Sequence, residues 1–194
     1  ALVEHGLNDS INKVWYSGPF FRHERPQKGR YRQFHQFGAE FTGVEGYEAD
    51  LEIISLINYI WESLGVNPEL KINTIGDMQD RQKYILVLLD YFDKYKNDFN
   101  EAEKNKLKLN PLRLLDSKNK DIKEIITLAP KITDYISKDS KLHFDNILRV
   151  LDKKNIKYNQ DDKLVRGLDY YNRTVFEYID KAHESQNTIC AGGR

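Results

Sequence analysis

Cysteine, methionine and proline are scarce in this 194-residue sequence, which contains one cysteine, one methionine and five prolines. The single cysteine, Cys190, excludes both an intramolecular disulfide and a thiolate cluster for zinc, and we expect it to be a small buried apolar residue. Apolar runs are only a few residues long, so no segment can span a bilayer. The first ten residues lack the basic region and apolar stretch of a signal peptide. A cytoplasmic location is therefore expected.

Net charge is also absent, because 30 basic residues balance 30 acidic residues. The average hides two parts of opposite sign: residues 79–163 contain 19 Lys and Arg against 15 Asp and Glu, whereas the remainder contains 11 against 15. A modest basic excess is compatible with binding a phosphate backbone, and surface lysines on solvated helices explain it almost as well. With 40% apolar and 31% charged residues, the chain is expected to be globular rather than disordered.

Hydrophobic patterning predicts an α+β organisation in three parts. Strand-like segments at 14–22 and 33–41 flank a polar stretch with turn residues, which predicts a hairpin. Apolar residues at helical spacing predict a helix over 48–64 and further helices within 79–163. Strand patterns occur at 70–75, 164–171, 174–179 and 188–191. We therefore predict a core formed by residues 1–78 and 164–194, with a small helical domain inserted at 79–163.

The second strand of the hairpin carries an unusual row of side chains. Because side chains alternate between faces in a strand, one face presents an aromatic ring, an amide, a gap and a carboxylate. These residues are Phe34, Gln36, Gly38 and Glu40. A flat ring beside a gap could stack on a base, and the polar groups could orient a small ligand. The alternative is an ordinary strand with one solvated face.

The tip of the hairpin, residues 22–32, holds five cations and one acid. They are Arg22, Arg25, Lys28, Arg30 and Arg32, with Glu24 as the acid. Cations at this density repel one another unless an anion is present, and guanidinium groups bind phosphate oxygens in bidentate geometry. The tip therefore predicts a polyphosphate ligand, with a solvated basic loop as the alternative.

Residues 21–40, FRHERPQKGRYRQFHQFGAE, resemble the second signature motif of class II aminoacyl-tRNA synthetases in the form typical of the histidine enzymes. Agreement over twenty residues is far more specific than a short pattern. The resemblance implies roles at ATP for four residues: Arg22 at the α-phosphate, Glu24 at the adenine amino edge, Arg30 at the distal phosphates and Phe34 stacked on adenine.

A second motif, LVRGLDYYNRTVFEY at 164–178, resembles the sequence that separates histidyl-tRNA synthetases from other class II enzymes. Alone, Arg166 could be a structural arginine, and paired tyrosines are commonly core residues. The resemblance implies that Arg166 is a catalytic residue that reaches the α-phosphate in place of a metal ion and also counts among the histidine-binding residues. It also implies that Tyr170 and Tyr171 line the histidine pocket. A fixed cation there could stabilise the charge that grows as a carboxylate attacks phosphorus.

The resemblance also implies that Gln36 and Glu40 face the amino acid, in agreement with the strand alternation. A carboxylate can accept a hydrogen bond from an imidazole N–H while a tyrosine hydroxyl satisfies the other ring nitrogen. The segment CAGGR at 190–194 resembles the glycine-rich floor of the histidine pocket, which adds Gly192 to the histidine-binding residues. No catalytic role is expected for His23 or His35, because an attacking carboxylate needs no general base.

The resemblance covers essentially the whole chain and implies a class II synthetase-type antiparallel β-sheet flanked by helices. It implies activation of L-histidine by ATP to histidyl-adenylate and transfer to tRNA(His), with Mg²⁺ bound through the ATP phosphates, no metal site formed by the protein, and a homodimer in the full-length enzyme. The first motif is incomplete, and no third motif or anticodon-binding domain follows Arg194, so we expect the 194-residue chain alone to be inactive. The alternatives are a synthetase-like regulatory subunit that senses histidine without charging tRNA, and a general RNA-binding protein.

Overall fold

A computed structural model describes residues 4–7, 10–23, 25–26, 30–117, 119–166, 170–181 and 187–194. The strands within these ranges are β1 Asn12–Phe21, β2 Gln33–Thr42, β3 Glu69–Thr74, β4 Tyr158–Gln160, β5 Thr174–Ile179 and β6 Thr188–Gly193. The helices are α1 Glu48–Leu64, α2 Met78–Asp93, α3 Glu101–Leu109, α4 Leu112–Leu115, α5 Lys123–Thr127 and α6 Lys138–Lys153, with a 3₁₀ turn at Ile132–Asp134. This mixture of sheets and flanking helices confirms the predicted α+β class.

The predicted hairpin is confirmed. Strands β1 and β2 pair antiparallel over ten positions and form a two-stranded sheet separate from the other strands. Aromatic pairs bridge the two strands on both faces: the ring centroids are 6.1 Å apart for Phe20 and Phe34 and 6.1 Å apart for Trp15 and Phe37. Cross-strand pairs of this kind are the main side-chain contribution to the stability of a sheet with little core behind it.

The other four strands form one sheet in the order β4-β3-β5-β6. Strand β5 lies antiparallel to both β3 and β6, as an antiparallel sheet requires. Strand β4 lies parallel to β3 at the edge of the sheet, and the sequence analysis did not predict this strand. Five of the six β5 residues are buried, so β5 is the centre of the sheet.

Helices α1 and α6 pack with this sheet. Helix α1 has the predicted bounds and ends at Gly65, whose φ of 67° is a left-handed conformation that glycine adopts without a Cβ penalty. The shared core consists of Leu51, Ile54, Leu70, Ile72, Phe144, Ile147, Leu151, Phe176 and Tyr178. The last helix of the predicted insertion thus packs on the same core as α1. The boundaries of the inserted domain at 79–163 stay a prediction.

Helices α2 to α5 surround a second core. Tyr84, Leu88 and Phe92 form the buried stripe of α2 and pack with residues of the later helices and with Val175 of β5. Helix α2 begins with a capping box, in which Asp77 and Asp80 each accept a hydrogen bond from the other's backbone N–H. The Asp80 carboxylate also accepts a hydrogen bond of 2.6 Å from the Ser140 hydroxyl. The start of α2 is therefore tied to the start of α6.

The strand predicted at 164–171 is wrong for the residues that the structure describes there. Residues 164–166 and 170–171 form a loop. The backbone N–H of Leu164 closes a turn on the carbonyl of Asp161, and Arg173 adopts a left-handed φ of 58° immediately before β5. The backbone of Arg173 also bonds to Ile75 and Gly76 in the β3–α2 connection. The chain therefore does not form a strand at these described residues, and the motif enters the sheet only at β5.

Candidate functional site

The face of β2 singled out from the sequence packs against Tyr16 of β1. The register sets Tyr16 opposite Gly38, and the tyrosine ring occupies the space where a Gly38 side chain would lie. The Gln36 amide donates to the Tyr16 hydroxyl over 3.4 Å. The gap at Gly38 is therefore filled by another side chain of the protein, the Tyr16 ring. Tyr16 was missed in the sequence analysis, although the hairpin register alone could have identified it.

Arg22 and Phe34, both predicted to bind ATP, are in contact. The Arg22 Nε donates to the carbonyl of Tyr31 over 2.7 Å, and its guanidinium carbon lies 4.4 Å from the centroid of the Phe34 ring. A guanidinium over a ring face is a favourable cation–π arrangement. Arg30 lies half-buried where the chain returns from the tip, and Glu24 lies outside the described residues.

Arg166 reaches β5 from the loop before the tyrosine pair. Its Nη1 donates to Oε1 of Glu177 over 2.8 Å, and its guanidinium carbon lies 5.6 Å from the centroid of the Tyr171 ring. The other carboxylate oxygen of Glu177 accepts a hydrogen bond of 3.2 Å from the Thr188 hydroxyl. Arg166 is therefore held by an ion pair on the central strand. Glu177 was not among the residues predicted from the sequence.

Tyr170 and Tyr171 lie side by side, with ring centroids 4.7 Å apart. The hydrogen bond between their hydroxyls raises the pKa of Tyr170, burial and the negative charge of Glu40 raise it further, and Arg166 opposes the shift. Glu40 on the hairpin and Arg166 beside the sheet thus both act on Tyr170. Arg166 and the two tyrosines are in contact, and Glu40, up to 131 positions away in the sequence, is near enough for its charge to act on Tyr170.

The two glycines at the end of β6 face opposite sides of the sheet. A Cβ on Gly192 would lie 2.7 Å from Cζ of Phe176, which is a core residue. A Cβ on Gly193 would lie 2.5 Å from the Thr174 carbonyl and 2.9 Å from Cδ1 of Tyr171. Gly193 therefore shares the face of Tyr171. The predicted histidine-binding role of Gly192 stays a prediction, and any contact with substrate there would use its backbone.

A buried polar cluster lies beyond the residues predicted from the sequence. The Asp50 carboxylate contacts His143 Nε2 at 2.6 Å, the Thr174 hydroxyl at 2.9 Å and Arg194 Nε at 3.0 Å. Arg173 Nη1 lies 3.1 Å from His143 Nδ1. An arginine can only donate, so Nδ1 is the acceptor and Nε2–H donates to Asp50. The cluster joins α1, α6, β5 and β6, and Asp50 is only 8% exposed.

Two kinds of feature are absent from the part of the chain that the structure describes. No group of three or more His, Cys, Asp and Glu side chains there could hold a metal ion. No described helix has the length and apolar character needed to cross a membrane.

Burial raises the pKa of the Cys190 thiol to about 11, although the charge of Arg166 opposes the shift. Cys190 is therefore protonated at neutral pH and packs against the sheet core.

Known proteins resemble the chain over nearly its whole length. Residues 4–194 match the family described as tRNA synthetase class II core domain (G, H, P, S and T). The histidine–tRNA ligase of Hydrogenovibrio crunogenus is 47% identical over 196 residues, which cover 100% of this chain and 46% of that protein. The chain therefore spans about half the length of the curated relatives it matches.

Solved structures agree with this match. The apo histidyl-tRNA synthetase of S. aureus superposes with a TM-score of 0.74 at 34% identity, over 98% of this chain and 46% of that one. A Bacillus halodurans protein described as an ATP phosphoribosyltransferase regulatory subunit/histidyl-tRNA synthetase gives a TM-score of 0.64 at 21% identity, over 100% and 54%. That second likeness shows the fold alone. The fold and the family match over 4–194 lead to one conclusion: the chain belongs to the class II tRNA synthetase core domain family.

Proposed function

We propose that the polypeptide containing this chain is a histidine–tRNA ligase, which activates L-histidine with ATP and transfers it to tRNA(His). The observation that carries the proposal is the contact of Arg166 with the tyrosine pair, on which the charge of Glu40 also acts. A guanidinium held on the sheet next to hydroxyls and a carboxylate suits a substrate with both a phosphate and an imidazole. The 47% identity to a protein named histidine–tRNA ligase supports the same conclusion.

The imidazole of histidine would lie between Glu40 and the tyrosine pair. Glu40 accepts a hydrogen bond from one ring N–H, and a tyrosine hydroxyl donates to the other ring nitrogen. Among side chains, only neutral imidazole has both a donor nitrogen and an acceptor nitrogen in one ring. Gln36 faces the backbone end of the amino acid from the same face of β2. Tyr171 and Glu40 both raise the pKa of Tyr170, which supports a protonated Tyr170 hydroxyl at neutral pH.

ATP would lie along the hairpin. Adenine stacks on Phe34, and Arg30 and Glu24 contact the distal phosphates and the adenine amino edge. The Arg22 guanidinium covers the Phe34 ring. Stacking of adenine on that face requires Arg22 to leave the ring, and the α-phosphate then becomes its natural partner because guanidinium matches phosphate oxygens.

The reaction needs positioning and charge stabilisation more than proton transfer. A carboxylate oxygen of histidine attacks the α-phosphorus, the bond from that phosphorus to the β-phosphate bridging oxygen breaks, and pyrophosphate leaves. Arg22 and Arg166 stabilise the charge on the α-phosphate oxygens. The terminal ribose hydroxyl of the tRNA then attacks the acyl carbon and releases AMP.

Mg²⁺ would enter with ATP and would supply charge neutralisation on the outer phosphates. The described residues near the hairpin tip are mainly arginines, which cannot ligate a cation, and they include no cluster of metal-binding side chains. The ion would therefore be held by phosphate oxygens.

The helical domain predicted at 79–163 would contact the acceptor arm of the tRNA. Its excess of lysine and arginine over acidic residues supports this role. Replacing the exposed Lys106 and Lys108 of α3 by glutamine in the full-length polypeptide removes positive charge without touching the core, and it should lower tRNA affinity. Unchanged affinity would contradict the role. The same proposal includes a homodimer of the full-length enzyme. It also includes a cytoplasmic location, because charged tRNA is used by cytoplasmic translation.

Histidine-dependent exchange between ATP and pyrophosphate in the full-length polypeptide tests the proposal. Exchange with histidine and not with other amino acids is expected, together with charging of tRNA(His). In an Arg166→Ala variant, adenylate formation should fall by about 10²- to 10³-fold, the usual effect of removing one charge-stabilising donor. Histidine binding should change little. Exchange should be undetectable with the isolated 194-residue chain, where measurable activity would overturn the expectation that the remaining half is needed.

A histidine-sensing regulatory subunit is the second candidate, favoured by the similar fold of the Bacillus halodurans protein. Such a subunit has no need for residues that bind ATP, and Arg22, Arg30, Phe34 and Arg166 are all present here. A full-length polypeptide that binds histidine but supports neither exchange nor charging would favour this candidate.

A further inference from the structure

We propose that Glu177 is the positioning residue for Arg166, an inference that rests on the function proposed above. Glu177 lies in the middle of β5, where the other five residues are buried. A carboxylate in such a strand is costly to desolvate unless each oxygen finds a partner. Oε1 accepts from Arg166 at 2.8 Å and Oε2 accepts from the Thr188 hydroxyl at 3.2 Å. Glu177 is therefore fixed from both sides.

The Arg166 side chain depends on this contact for its direction. It leaves a loop rather than a strand, and a long arginine side chain has many rotamers to lose. Glu177 fixes one end of the guanidinium, and the Tyr171 ring lies against the group at 5.6 Å. Because the guanidinium is planar and rigid, these two contacts set the directions of all its remaining N–H groups.

The burial of the Arg166 side chain also makes the ion pair with Glu177 energetically important. Its Nε is buried and has no hydrogen-bond partner among the described residues, which costs free energy that another interaction must offset. Without Glu177 the guanidinium would rotate to satisfy that donor, and it would no longer be oriented when ATP binds. Glu177 thus acts through Arg166 and transfers no proton itself.

Glu177→Ala and Glu177→Gln variants of the full-length polypeptide test this role. For Glu177→Ala, the kcat of histidine-dependent pyrophosphate exchange should fall by about 10- to 100-fold, the size of a misplaced catalytic group. The KM values for ATP and histidine should stay near those of the unmodified protein. Glu177→Gln keeps an oxygen acceptor for Arg166 in the same shape, so its kcat should recover part of the loss. Glu69→Gln is the matched control, because Glu69 lies on the adjacent strand β3 and pairs with Lys181 at 2.9 Å.

A double-mutant cycle separates positioning from mere structural support. If Glu177 acts only through Arg166, the Arg166→Ala/Glu177→Ala variant should be no slower than Arg166→Ala alone. The proposal would be overturned if the kcat losses of the two single variants multiplied in the double variant. It would also be overturned if both single Glu177 variants had an unchanged kcat. Failure of the proposed function would instead show in the unmodified protein, as absence of any histidine-dependent exchange. Should Glu177→Ala fail to fold, the cycle runs with Glu177→Gln, where the same non-additivity is required.

Discussion

The hairpin and the central strand β5 both carry candidate site residues, but they are supported in opposite ways. On the hairpin, Trp15 is 71% exposed and Phe37 is 52% exposed, and the strands are joined mainly by their own ladder and cross-strand rings. Strand β5 is buried between neighbouring strands and packed helices. Side chains on the hairpin can therefore change position at little cost, whereas those beside β5 are fixed by packing.

The two candidate arginines, Arg22 on the hairpin and Arg166 beside β5, differ in the same way in how firmly they are held. Arg22 is held by one backbone carbonyl and by the face of Phe34, and both contacts are compatible with movement. Arg166 is held by an ion pair to a half-buried carboxylate that is itself anchored. The comparison predicts that substitutions near β5 change stability, and that substitutions on the hairpin change activity with little effect on stability.

The largest expected effect is from Asp50→Ala, in the buried polar cluster that joins α1 to β5. The substitution leaves Arg194 without its carboxylate and His143 and Thr174 without an acceptor, and such losses cost about 3–5 kcal/mol. Chemical denaturation of the full-length polypeptide measures it. Asp145→Ala is the control on α6, because Asp145 forms only an exposed pair with Lys141 and should cost no more than about 0.5 kcal/mol. Equal midpoints for the two variants would contradict the assignment of the cluster.

The second effect is on activity alone. Arg22→Ala should slow histidine-dependent pyrophosphate exchange about a hundredfold, or about 2.7 kcal/mol of activation free energy. The denaturation midpoint should not change, because Arg22 supports no core residue. Lys13→Ala at the other end of β1 serves as the control, since Lys13 pairs with Glu52 of α1. A lowered midpoint for Arg22→Ala would break the distinction between the two regions.

Gly192→Ala adds one methyl group beside the buried sheet. The new Cβ would lie 2.7 Å from Cζ of Phe176, whose ring is enclosed in the core and has no room to turn. Overpacking of this kind costs about 1–3 kcal/mol. The measurement is again the denaturation midpoint of the full-length polypeptide. A midpoint within experimental error of the unmodified protein would show that this core can relax.

Gly38→Ala is the same substitution on the hairpin and should have the smallest effect on stability. The new methyl group would overlap the end of the Tyr16 side chain, but that ring is partly exposed and can swing into solvent. The expected cost is within about 0.5 kcal/mol, as for other surface changes. A loss as large as that of Gly192→Ala would contradict the contrast drawn here. Exchange kinetics would show separately whether the Tyr16–Gln36 contact affects substrate binding.

The hairpin and α1 could be predicted because their signals are local. Alternation assigned Phe34, Gln36 and Glu40 to one face of β2 before any coordinates, and helical spacing with Gly65 fixed both ends of α1. The prediction of a strand at 164–171 was wrong because residue types common in strands occur there in a loop, which bends at Arg173. Strand β4 was missed because three residues carry too weak a pattern to distinguish a strand from a loop.

The sequence by itself determined the family resemblance, the basic tip and the face of β2, since each depends on residue types at short spacing. Tertiary structure alone decided that Glu177 holds Arg166 and that Gly193 rather than Gly192 faces Tyr171. These contacts join residues from different strands and loops, and their partners are set by strand register and by the packing of the whole sheet. Local patterning carries no information about either.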